Sequence, residues 1–123
     1  MAGNVRIVLE DGEDIYKSIK EVMKESKIDY GMVETGKGAI KDFELVSHGQ
    51  RGTVENFTHK KEFEVNAMSG KLQRVGKDYR IKVNILISSS GFTPQSGELI
   101  AGKAAGRLEI TIKKIDLGKM IEA

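Results

Sequence analysis

The stretch Tyr79-Arg80-Ile81-Lys82-Val83-Asn84-Ile85-Leu86-Ile87-Ser88 decides the fold. Tyr79, Ile81, Val83, Ile85 and Ile87 fall on every second position, with Arg80, Lys82, Asn84, Leu86 and Ser88 between them. A period of two places the two sets on opposite faces of a β-strand. A second stretch repeats the pattern: Leu108, Ile110 and Ile112 alternate with Arg107, Glu109, Thr111 and Lys113. Further strands are predicted over Val5–Glu10, Met32–Gly36, Ala39–Ser47, Thr53–Thr58, Glu62–Met68, Lys71–Val75 and Glu98–Ala101. Ser69-Gly70 reads as a turn and Ser88–Ser96 as a loop.

One segment departs from the period of two. Ile15, Ile19, Val22 and Met23 make a single apolar stripe at helical spacing, with Lys17, Lys20, Glu21 and Lys24 off it. A helix is predicted from about Glu13 to Ser26, with Asp11 as N-cap and Glu13 and Asp14 in the first turn. One helix and seven or more strands make an α+β domain whose sheet is mostly antiparallel.

Composition bounds the class. The chain has 123 residues, which predicts one domain over 1–123. Hydrophobic residues make up 39% and charged residues 31%, as in a chain that buries a core. No cysteine is present, which excludes disulfides and thiolate chemistry. No apolar run approaches the length of a membrane span, and the N-terminus lacks the basic flank and apolar stretch of a secretory signal. A cytoplasmic protein with no membrane partner is the expectation. The net charge of +2 is small, but it is unevenly spread. Residues 1–64 carry 10 basic and 13 acidic groups, whereas residues 65–123 carry 10 basic and 5 acidic ones.

Motifs that would carry chemistry fail on inspection. Gly97-Glu98-Leu99-Ile100-Ala101-Gly102-Lys103-Ala104 has phosphate-loop spacing up to its last position, where Ala104 lacks the hydroxyl that ligates magnesium. A strand pattern follows it, whereas a phosphate loop opens a helix. Gly36-Lys37-Gly38 reads as a turn or bulge. His48 and His59 stand in polar, loop-like stretches with no second ligand at metal spacing, and both read as surface histidines. Ser88-Ser89-Ser90 lacks the glycines of a nucleophile elbow. No catalytic residue, metal site or cofactor is predicted.

Several pieces resemble the PPC domain, the domain conserved in plants and prokaryotes. They are Asp11-Gly12-Glu13-Asp14-Ile15 before the helix, Gly36-Lys37-Gly38-Ala39 between strands, Glu62-Phe63-Glu64-Val65 followed by Met68-Ser69-Gly70, and Gly97-Glu98-Leu99 ahead of Leu108-Glu109-Ile110. The resemblance spans about Val5 to Ile115. It implies an antiparallel sheet with a helix packed on it, assembled as a homotrimer. It also implies a regulatory role, with DNA or regulatory proteins as candidate partners. The AT-hook through which plant members contact DNA needs an Arg-Gly-Arg-Pro core, and the only proline here is Pro94. Many prokaryotic members carry a His-x-His pair and a third His that look suited to metal. Arg80 and Lys82 stand at the pair and Glu98 at the third position. Arginine and lysine only donate, so the site is expected to be a polar cleft formed by Arg80, Lys82 and Glu98.

Two readings follow. The first is a non-enzymatic homotrimeric assembly or regulatory domain, a candidate DNA-associated one, with Phe63 and Glu64 as the segment to test for assembly. The alternative is a small-molecule or anion-binding protein, with enzyme activity open, that uses an intersubunit cleft.

Overall fold

A computed structural model describes residues 4–48 and 54–115. Its elements in chain order are β1 (Asn4–Glu10), α1 (Ile15–Glu25), β2 (Tyr30–His48), β3 (Val54–His59), β4 (Phe63–Val75), β5 (Asp78–Ser88) and β6 (Gln95–Lys114). Every strand pairing is antiparallel. The strand order is β1-β6-β5-β4-β2-β3, and β6 pairs with β2 as well. The pairings β6–β5–β4–β2 therefore return to β6 and close a ring, which leaves β1 and β3 at the margins.

Alternation along β5 behaves as the sequence predicts. Val83, Ile85 and Ile87 are buried, while Arg80, Lys82, Asn84 and Leu86 are exposed. Ile110 and Ile112 of β6 are buried in the same way and oppose β1 and β2. Helix α1 brings Ile15, Ile19 and Met23 into the same core, with Val22 half-buried at its edge. Phe43 and Phe63 are its largest fully buried side chains, and no polar or charged residue is buried among the described residues. Burying a large aliphatic or aromatic side chain of this kind stabilises by about 1.5–3 kcal/mol.

The helix starts later than the sequence predicts. Asp14, not Asp11, is the N-cap: its backbone is extended and its carboxylate accepts the Lys17 N–H at 2.9 Å. Asp11 is drawn away by other partners. Its carboxylate accepts the Gly106 N–H at 2.8 Å and the Lys41 ammonium at 2.9 Å. Backbone hydrogen bonds from Gly12 to Ala104 and from Ala104 to Glu13 pin this turn to β6. At the other end Lys27 takes a left-handed φ of 53°, and the Ile28 N–H closes back on Met23.

Strands also run longer than expected, so the described residues form six where seven or more are predicted. Ser69-Gly70 is no turn: β4 passes straight through it, and the predicted segments Glu62–Met68 and Lys71–Val75 are one strand. Met32–Gly36 and Ala39–Ser47 likewise merge into the 19-residue β2, and Glu98–Ala101 belongs to the 20-residue β6. The glycines permit close backbone approach rather than reversal. A Cβ at Gly70 would collide with the Lys82 carbonyl oxygen and lie 3.2 Å from the Val83 Cα. The strand predicted over Thr53–Thr58 is found from Val54, Thr53 lying outside the described residues.

Candidate functional site

The outer face of β5 carries Arg80, Lys82, Asn84 and Leu86 in a line. β6 lies beside its second half, with Asn84 opposite Glu98 and Leu86 opposite Ser96. This register sets Lys82 one step diagonally from Glu98. The Lys82 Nζ lies 3.9 Å from the Glu98 Oε1, with the two side chains 62% and 32% exposed. The structure thus brings two members of the expected cluster together. Arg80 lies a row further on, opposite Gln73 of β4, and makes no ion pair among the described residues. A solvated pair of this kind contributes about 0–1 kcal/mol, so its value to the fold is slight.

Beyond Asn84 the face changes character. Leu86 is 37% exposed and stands between Ala67 of β4 and Ser96 of β6. Its small neighbours leave a shallow depression of about 400 Å³, lined by Ala67, Ser69, Asn84, Leu86, Ser96 and Gly97. One strand face is therefore cationic at one end and apolar at the other. Behind it, the Tyr16 hydroxyl of α1 donates to the Leu99 carbonyl. Burial pushes the Tyr16 pKa up to about 12; a backbone hydrogen bond at Val83 opposes this, and the Glu98 charge adds to it.

Phe63 and Glu64 point opposite ways. Phe63 is fully buried and meets Phe43 edge-on, with ring centroids 5.2 Å apart. Glu64 is exposed and lines a second depression, of about 440 Å³, with Ala39, Glu62 and Ser88-Ser89-Ser90. Sequence reasoning missed the ring cluster beside it. His59 is half-buried at the end of β3, 5.2 Å from Phe63 and 5.1 Å from Phe92, and its Nδ1 accepts the Lys61 N–H. It is not the loop histidine its polar neighbours suggest, because the chain between β5 and β6 returns Phe92 over it. No local pattern signals a contact between residues so far apart in sequence. His48 is the last residue of β2.

A family model for the Plants and Prokaryotes Conserved domain matches residues 3–116. The chain belongs to this family, abbreviated PCC or PPC. No curated protein matches the sequence. Among solved structures, a plant- and prokaryote-conserved protein of Pyrococcus horikoshii shares 15% identity at a TM-score of 0.80, over 94% of this chain and 81% of that one. A candidate DNA-binding protein of Bacteroides thetaiotaomicron shares 16% identity at 0.79, over 94% and 84%. The metal-containing protein AF0104 of Archaeoglobus fulgidus shares 16% identity at 0.78, over 93% and 81%. These likenesses establish the PCC fold for this chain. At the positions the resemblance links to metal, this PCC chain has two donor-only cations and one carboxylate, which do not fit a cation. Among the described residues no three His, Cys, Asp or Glu side chains gather closely enough to hold a metal ion.

Proposed function

We propose that this PCC chain is a single-domain, non-enzymatic homotrimeric assembly module of the cytoplasm that associates with DNA without an AT-hook. The observation that carries the reading is the apolar end of the β5–β6 outer face. Leu86 is 37% exposed there, and Ile100, four residues along β6 from Ser96 toward the Lys82 end, is 44% exposed, on a sheet whose one described helix is spent on the inner core. Exposed apolar residues beside a small-residue depression favour burial against a further copy, and closed rings satisfy every copy alike. DNA association is supported by the similarity to a candidate DNA-binding protein and by the basic excess of residues 65–123.

Size-exclusion chromatography with light scattering tests the assembly. A mass near three times the 13.6 kDa subunit is expected, falling for Leu86→Glu. A mass near one subunit at micromolar concentration overturns it. Fluorescence anisotropy on a labelled duplex at two salt concentrations tests the DNA association.

A second reading is binding of a small molecule or anion in an intersubunit cleft at Arg80, Lys82 and Glu98. It draws on the 3.9 Å contact of Lys82 with Glu98 and on Arg80 having no ion pair among the described residues. A thermal-shift screen of nucleotides, sugars and anions tests it, since a ligand at a hundred times its Kd stabilises by about 2.7 kcal/mol. A flat screen counts against the cleft.

A further inference from the structure

Strand register assembles something that no segment of the sequence contains. Asn4 of β1 opposes Lys113 of β6; Lys113 also opposes Met32 of β2. Met32 opposes Lys71 of β4, and Lys71 opposes Lys82 of β5. Directly opposed residues share a face, so these five form one continuous row across five strands. All five are exposed, while Ile112, Val33, Gly70 and Val83, their neighbours along the strands, are buried. Arg80 stands on the same face one row on. The row faces away from the core, where α1 packs.

Four of the ten basic residues in the second half of the chain therefore meet on one surface. Lys71, Lys113 and Arg80 make no ion pair among the described residues, and Lys82 meets only Glu98, at 3.9 Å. At about 4.8 Å between strands, Lys113 to Lys82 spans about 14 Å. That covers about four charges of one duplex strand, at about 3.4 Å of axis each. Met32, 43% exposed, is the one apolar side chain in the row, too little to enter a bilayer.

We infer that the row Lys113, Lys71 and Lys82, with Arg80 beside it, is a stripe that binds the phosphate backbone of duplex DNA without reading its sequence. The inference rests on the DNA association proposed above and names the surface responsible. A row of lysines on a sheet face meets phosphates as point charges. It inserts no helix or ribbon into a groove, so base edges go unread. The apolar end of β5 at Leu86 stays free for assembly, and a trimer would carry three such stripes.

Anisotropy of a labelled duplex, titrated with the full chain between about 50 and about 200 mM salt, tests the stripe. For each phosphate contact removed, the logarithmic salt slope falls by about one. Lys71→Gln and Lys113→Gln should each weaken binding. The double variant should lose about tenfold less affinity than the unsubstituted chain over that salt range. Lys20→Gln, on the solvent face of α1, should leave the slope unchanged. An unaltered slope in the double variant, or an equal change from Lys20→Gln, overturns the stripe while leaving DNA association standing. Absence of duplex binding by the unsubstituted chain at the lower salt overturns both. Equal affinity for phosphatidylserine vesicles, also lost in the double variant, would make the stripe a general anionic-surface binder and overturn its assignment to DNA. Retention of the thermal midpoint by each variant shows that the comparison is made between folded proteins.

Discussion

Replacing Gly38 by alanine tests how β2 and β6 are held together. Gly38 opposes Leu108 where the register of this pair shifts, and its φ is 137°. An alanine Cβ there would collide with the Arg107 carbonyl oxygen and lie 3.0 Å from the Leu108 Cα. Both obstacles are backbone atoms of a paired strand, so neither can rotate away. The dihedral strain alone costs about 1–3 kcal/mol. Opening the pair sacrifices one or two ladder hydrogen bonds, at about 1 kcal/mol each. Gly38→Ala should therefore cost about 2–5 kcal/mol, a large part of the roughly 5–15 kcal/mol that holds a domain folded. Gly12→Ala is the control. Gly12 also has a positive φ, 87°, but a Cβ there meets nothing within 4 Å. Its strain of about 1–2 kcal/mol is partly offset by about 0.4–1 kcal/mol of lost freedom in the unfolded chain. The chain has no tryptophan, so urea unfolding is best followed by far-UV circular dichroism at one protein concentration. A midpoint lower by about 1–2 M relative to Gly12→Ala is expected. Equal stabilities for the two variants would show that β2 and β6 do not meet at Gly38 as described.

Phe63→Ala should cost about 3–5 kcal/mol by emptying a fully buried site, whereas Glu64→Gln should stay within about 0.5 kcal/mol; equal effects in urea unfolding would contradict the burial of Phe63. Asp11 is held below its ordinary pKa of 3.8, first by the Gly106 N–H and then by Lys41. Its contribution to stability is therefore present above pH 3.8 and lost as the pH falls through the folded value. Asp11→Asn should flatten the acid limb of unfolding midpoint against pH, and an unchanged limb would count against this contact. Lys41, raised above 10.5 chiefly by its hydrogen bond to Asp11, contributes below that pH and loses its contribution above its folded value. Tyr16, raised from 10.0 to about 12 chiefly by burial, contributes below pH 10.0 and loses its contribution as the pH rises through about 12. Tyr16→Phe should cost about 1 kcal/mol for the lost hydrogen bond and remove that alkaline loss, which unfolding across alkaline pH would reveal.

Much of the candidate site is legible as pattern but not as contact. Alternation puts Arg80, Lys82 and Leu86 on one face, and Glu98 on a neighbouring strand, as the structure has them. It gives no sign of which residues lie opposite one another. Lys82 meets Glu98, and Arg80 does not, because Asn84 is the residue opposed to Glu98. The N-cap is misplaced for a similar reason. Asp11 and Asp14 are equally good caps locally, and the choice falls to Asp14 because Gly106 and Lys41 occupy Asp11 from distant strands.

What the residues decide alone is which face of each segment seeks the core: period two for the strands, the Ile15–Met23 stripe for the helix, and hence an antiparallel α+β fold. Where strands end, and which cations meet, belongs to the tertiary structure. Glycine at Gly38 or Gly70 is locally compatible with a turn or a close approach, and only the carbonyl pressed against it selects between them. The row joining Lys113, Lys71 and Lys82 likewise exists only once β2 and β6, far apart in sequence, take their register and link Lys113 to the β4–β5 pair through Met32, because side-chain alternation repeats every two residues and is the same for every even shift.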